Sequence, residues 1–190
     1  MKLLRAVLAT AMLFAVLVPA HAGKMAKSKE PLAVAPDKAT IVFMRPGKFV
    51  GAAVAVPVFD VTGDETKFVG LADAGSKVAY TVPAGEHVFM TTVFGGTAGV
   101  RFYKAQVEAG KVYYFRARII QGIWGLEPVR QAELATADFS GEDKGTALTV
   151  NSPKTLAWAE ENHEDVAKKH HDLEPQSISD ENTLRVEDGR

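Results

Sequence analysis

The sequence predicts a mainly β protein, an antiparallel β-sandwich of about seven strands with one C-terminal α-helix. Three observations carry this. Between residues 39 and 134, short runs rich in Val, Ile, Thr, Phe and Tyr are separated by clusters of Gly, Pro, Asp and Ala, which is how short strands and tight turns alternate. Two of these runs keep a period of two. Tyr103, Ala105 and Val107 share one face, and Tyr113, Phe115, Ala117 and Ile119 share another, as strands do when one face lies in a core. Finally, Ser152 followed by Pro153 pairs an N-cap residue with a proline suited to the first helical turn.

The chain opens on an export signal. Lys2 and Arg5 precede an apolar run over 6–18, which Pro19 breaks, and Ala20-His21-Ala22 supplies the small residues a signal peptidase reads. The expectation is export by the general secretion route, cleavage after Ala22 and a periplasmic location. The run falls short of the roughly 20 apolar residues of a membrane span, so no transmembrane segment is expected in the mature form. Gly23 follows the cleavage site, and the chain contains no cysteine. Disulfides, thiol catalysis and a lipid-bearing cysteine are therefore excluded. Residues 23–38, rich in Lys, Ala and Pro, read as a flexible leader.

The sandwich is expected over 39–134. A first strand over 39–45 ends at Pro46-Gly47. The run 52–61 contains Pro57, which predicts an edge strand or a bulge, and 67–72 is a short third strand. Residues 77–82 and 86–94 flank Pro83-Ala84-Gly85 and read as a hairpin. Residues 95–99 form a Gly-rich loop. Residues 100–108 and 111–119 flank Ala109-Gly110 as a second hairpin, although Arg101, Phe102 and Lys104 do not follow the alternation cleanly. Tyr114, Arg116 and Arg118 are expected to face solvent. A loop over 121–125 carries Trp124, and a last strand over 126–133 is weakened by Pro128.

Residues 135–151 read as a linker with a polar, flexible stretch at 138–145. The helix is expected over 152–171, where Leu156, Ala159, His163, Val166 and Ala167 recur at helical spacing. Residues 172–190 are polar and acidic and predict a disordered tail.

Four blocks in order carry a family resemblance: Met44-Arg-Pro-Gly-Lys-Phe-Val-Gly-Ala-Ala-Val54, Phe68-Val-Gly-Leu71, Val82-Pro-Ala-Gly-Glu-His-Val88 and Glu108-Ala-Gly-Lys-Val-Tyr-Tyr-Phe115. Together they resemble a bacterial family called domain of unknown function 2846. The resemblance implies a small immunoglobulin-like or transthyretin-like β-sandwich of the cell envelope. It also implies relatives that are often lipoproteins, from which this cysteine-free chain departs. It supplies no catalytic residue.

The net charge of −1 becomes more negative once Lys2 and Arg5 leave, which argues against a nucleic-acid partner. The residues singled out for binding are Phe49 and Val50, and Trp124 between two glycines, because an exposed loop tryptophan often marks a contact surface. The helix gathers Glu160, His163, His170 and His171, residue types that bind zinc or copper. Their spacing departs from His-Glu-x-x-His, since Ala167 stands one turn after His163. The bland alternative is a solvated helix end. The Gly-rich loop is followed by a strand rather than the helix start a phosphate loop needs. His87 reads as a strand residue, and no serine sits in a nucleophile elbow. The expected function is a non-catalytic envelope module that binds a protein or another envelope component, with no cofactor. A periplasmic carrier of a small molecule or metal ion is the alternative, and an enzyme stands third.

Overall fold

The computed structural model describes residues 25–47, 54–92, 99–120, 123–173 and 177–190, with only the backbone of Ile120, Ile123 and Trp124. The expected export signal, Phe49, Val50 and most of the Gly-rich loop lie outside these residues.

Alternating apolar residues build two sheets whose inner faces meet. The first sheet has the order β1-β10-β5-β2-β8-β9. Its members are β1 (Ala26–Lys27), β2 (Ala39–Arg45), β5 (Ser76–Val82), β8 (Val112–Ile120), β9 (Ile123–Pro128) and β10 (Ala147–Val150). The second has the order β11-β7-β6-β3-β4. It comprises β3 (Val56–Asp60), β4 (Lys67–Ala72), β6 (Gly85–Thr91), β7 (Arg101–Val107) and β11 (Thr183–Leu184). Between the sheets lie Ile41, Phe43, Val58, Phe89, Tyr103, Ala105, Tyr113, Phe115 and Leu184, all fully buried. Phe43 stacks on Phe115 at 5.5 Å, and Phe89 meets Phe43 edge-on at 5.0 Å. These offset and edge-to-face geometries are the ones favoured by aromatic quadrupoles.

The mainly β prediction holds. The antiparallel prediction needs correction: the eleven strands among the described residues form two mixed sheets. Strand β2 runs parallel to β8, β10 parallel to β5, and β11 parallel to β7. Both expected hairpins are arches between sheets. Strands β5 and β6 belong to different sheets, as do β7 and β8. A period of two fixes which face is buried, but not which neighbour a strand takes.

Strand β3 lies inside its sheet, between β6 and β4, with a bulge between Val58 and Phe59. Its pairing with β6 begins at Val58, so Pro57 falls outside that ladder. The bulge reading of Pro57 holds and the edge reading does not. Ile123–Pro128 is an antiparallel partner of β8, with Ile123 opposite Ile120, so Trp124 is a strand residue rather than a loop tip.

The sheets are covered outside as well. Helix α1 (Gln131–Leu134) and helix α2 (Ala137–Gly145) lie on the first sheet. There Phe139 meets Tyr114 edge-on at 5.0 Å, beside Val42, Met44 and Val129. Every residue of β2 is buried, as expected of a strand covered on both faces. Tyr114 and Arg116 are therefore buried rather than solvent-facing. The stretch read as a flexible linker supplies α2 and β10.

Helix α3 (Pro153–Glu161) and helix α4 (His163–Leu173) replace the single expected helix. The Ser152 side chain accepts from the Thr155 N–H, with Pro153 in the first turn, so the predicted start is found. The helices pack Trp158, Ala159 and Val166 against Phe59, Val61, Leu71 and Met90 on the second sheet.

The leader and the tail are built in. Strand β1 pairs with β10. Residues 177–190, read from composition as disordered, form two 3-10 turns flanking β11. Leu184 enters the core, and Asp188, 3% exposed, accepts from Arg130 Nη1 at 2.9 Å. Arg190 exchanges two backbone hydrogen bonds with Val112, of 2.9 and 3.1 Å.

Candidate binding cleft

The outer face of the second sheet is only partly covered by α3 and α4. Beside them β7 turns Phe102, Lys104 and Gln106 outward, because Tyr103, Ala105 and Val107 take the inner face. The segment leading into β11 then runs along β7 as the opposite wall. The result is a two-lobed open cleft. The larger lobe, about 450 Å³, is lined by Val100, Arg101, Phe102, Leu173, Ser177, Ile178, Ser179 and Asn182. The smaller, about 250 Å³, shares Ile178 and adds Lys104, Gln106, Asp180, Thr183, Arg185, Val186 and Glu187. The larger lobe has the size of a small-ligand site, for which about 300–1,000 Å³ is usual.

The lobes differ in charge. In the smaller, charges of both signs are present and two cations are paired: Lys104 with Glu86 at 3.2 Å, and Arg185 with Asp180 at 3.5 Å. Among the described residues lining the larger lobe, Arg101 is the one ionised side chain. It stands among apolar Val100, Phe102, Leu173 and Ile178 and three neutral polar residues.

The sequence-chosen residues lie elsewhere. Phe49 and Val50 are outside the described residues. Trp124 sits opposite Ile119 in edge strand β9. Glu160, His163 and His171 are exposed on α3 and α4, whereas His170 is buried, with Nδ1 3.0 Å from Thr66 Oγ1. No group of three His, Cys, Asp or Glu side chains among the described residues is placed to hold a metal ion. Glu160, His163, His170 and His171, the residues read for metal, are not brought together as such a group. Burial turns His170 into a tie between α4 and the β3–β4 loop. The one signal for the cleft in the sequence was the irregular alternation at Arg101, Phe102 and Lys104.

A second polar cluster closes one end of the sandwich. Tyr80 donates to Asp60 Oδ2 at 3.0 Å, and Asp60 Oδ1 accepts from the Thr62 N–H at 2.9 Å. His87 Nε2 donates to the Pro83 carbonyl at 3.0 Å. Burial, followed by the nearby Asp60 charge, pushes the Tyr80 hydroxyl up to about 12. It therefore stays protonated at neutral pH, and the cluster is satisfied internally.

Two ion-pair clusters fasten the cover over the first sheet. Buried Arg116 reaches Glu142 at 2.7 Å, Glu133 at 3.0 Å and Glu127 at 3.5 Å. Burial pulls its guanidinium down, but Glu133 and Glu142 outweigh this and hold it above its ordinary value. Arg190 contacts Tyr114 and Asp143, and its guanidinium lies 4.8 Å from the Tyr114 ring centroid. These contacts join outer elements to the sheet and leave the cleft untouched.

No protein-family model matches this chain, and no curated protein is significantly similar to it. No helix among the described residues is long and apolar enough to cross a membrane.

Proposed function

We propose that this chain is a non-catalytic module of the bacterial envelope that binds a protein or another envelope component through the cleft beside β7. The observation that carries this reading is the cleft itself, which is open and walled by segments distant in sequence. Export by the general secretion route, with cleavage after Ala22, rests on the charged start, the apolar run and the small-residue site. The four blocks that resemble domain of unknown function 2846 support the same setting. A binding role also agrees with the ionic clusters, which are spent on holding covers to sheets. The volume of the larger lobe favours a second reading, a periplasmic carrier of a small molecule.

The test is site-specific photocrosslinking in living cells. A photoreactive residue replaces Ser179 in the cleft, and in a second strain Lys144, exposed on α2 over the other sheet. The expected result is a discrete adduct from position 179 and none from 144. No adduct at 179, or the same adducts from both positions, overturns the proposal.

A further inference from the structure

We infer that Met25 is a site of reversible oxidation, and that converting its thioether to the sulfoxide with a peroxide releases strand β1 from the first sheet. This goes beyond the binding role and uses no part of the cleft.

The chain has no cysteine, so methionine thioethers are the sulfur groups an oxidant meets. Among the described residues these are Met25, Met44 and Met90. Met44 and Met90 are fully buried, whereas Met25 is half-buried, and susceptibility to oxidation follows exposure. Met25 directly precedes β1. It packs against both the core between the sheets and the cluster under α3 and α4. It is thus the apolar anchor of a short strand. Strand β1 pairs with β10 at Ala26 with Val150 and Lys27 with Thr149, and the Ser28 N–H then donates to the Leu148 carbonyl at 2.9 Å.

The end of the Met25 side chain sits where a sulfoxide finds no donor. Gly70 leaves room for it: a Cβ built there lies 3.1 Å from Met25 Cε, 3.0 Å from Val78 Cγ2 and 3.3 Å from Asn151 Oδ1. The Asn151 oxygen is buried and has no hydrogen-bond partner among the described residues. Its Nδ2 donates to the Val69 carbonyl at 3.1 Å. A sulfoxide oxygen is an acceptor, so it meets a methyl group and a second acceptor. Turning the amide over to offer Nδ2 gives up the Val69 bond. A buried acceptor left unpaired is costly, and β1 has few other bonds to set against it. In the step itself, with hydrogen peroxide, the O–O bond breaks. One oxygen bonds to sulfur, which loses two electrons, and the other leaves as water with both hydrogens.

The test treats the purified protein with hydrogen peroxide, maps methionine oxidation by peptide mass spectrometry and follows amide hydrogen exchange. Met25 is expected to oxidise before Met44 and Met90. The Ser28 amide is expected to exchange at least about tenfold faster once Met25 is oxidised, with the amides of β2 and β8 unchanged. Reduction by methionine sulfoxide reductases should restore its protection. Met25→Leu, close in volume, should keep Ser28 protected under peroxide. Met25→Gln, which carries a polar group to the same depth, should lose that protection without oxidant. Several results overturn the inference: Met44 or Met90 oxidising as fast as Met25, or a Ser28 amide unprotected before treatment or unchanged after it. So do loss spread over β2 and β8, the same loss in Met25→Leu, full protection in Met25→Gln, or no recovery on reduction.

Discussion

Gly189→Ala tests whether the C-terminal segment is an integral wall of the sandwich. Gly189 has φ −85°, a conformation open to alanine, so any effect is steric. A Cβ built there lies 2.6 Å from Tyr113 Cζ, 2.8 Å from Tyr113 Cε1 and 2.9 Å from Lys111 Cδ. Carbon atoms prefer about 3.5–4.0 Å. The Lys111 chain can swing away, but the tyrosine ring is fully buried. Its hydroxyl accepts from the Glu108 N–H at 2.9 Å and donates to the Val186 carbonyl at 3.3 Å. Relief must come from straining that ring or from lifting the segment off Val112. Forcing a methyl group into such a site costs about 1–3 kcal/mol, and losing the two Arg190–Val112 bonds costs about the same. For a chain of this size that lowers the melting temperature by about 2–12 °C. The assay is thermal unfolding followed by circular dichroism, with hydrogen exchange at the Val112 and Arg190 amides. A melting temperature within about 1 °C of the parent, with protection unchanged at both amides, would refute the reasoning.

Two further predictions concern charge. Arg116→Met takes the guanidinium away from three carboxylates that are 28–42% exposed, although Glu127 keeps Arg118 at 3.0 Å. Because these can rehydrate, the expected loss is about 2–3 kcal/mol, below the value for a fully buried pair. Burial raises Glu133, but the Arg130 N–H and Arg116 outweigh it and hold its carboxyl below the usual range. That contribution is complete above about pH 4.3 and is lost as pH falls through the depressed value. Urea midpoints measured from pH 6 to pH 3 should therefore fall more steeply for the parent than for Arg116→Met, and parallel curves would contradict this. The second prediction uses the four tyrosines of the chain. Burial raises Tyr80, Tyr103, Tyr113 and Tyr114 alike. Their contribution is complete below about pH 10 and is lost as pH rises through the folded values, for Tyr80 about 12. Absorbance at 295 nm should show less tyrosinate near pH 10 in the folded protein than in the urea-unfolded chain, and equal tyrosinate in the two would count against the packing described.

What was legible in the sequence was local. The alternations at Tyr103-Ala105-Val107 and Tyr113-Phe115-Ala117 named core residues correctly, although Ile119, read on the same face as the second set, is 50% exposed, and Ser152-Pro153 placed a helix start. The turns at Pro83-Ala84-Gly85 and Ala109-Gly110 were also legible, but a short turn joins strands of one sheet or of two equally well. Arg116 and Tyr114 show a related limit. Their parity sent them away from the sandwich interior, and only a second covering layer buries them. That layer was hidden because α2 buries a single residue, Phe139, and so has no amphipathic period to read. The tail failed for a third reason. Asp180, Glu181, Glu187 and Asp188 make it look unfoldable by composition, yet Asp188 is matched by Arg130, which is remote in sequence. The cleft inherits these limits, since one of its walls is that same tail.

Leu184 also sets the order in which this molecule can be assembled. Its side chain completes a core whose other members begin at Ala39. Until the ribosome has passed residue 184, the hydrophobic layer lacks one flank. Closure then depends on contacts of long sequence separation, which form slowly. For a chain bearing the export signal proposed above, that delay is useful. A polypeptide that cannot finish folding during synthesis remains threadable, which under that proposal defers its native state to the far side of the membrane.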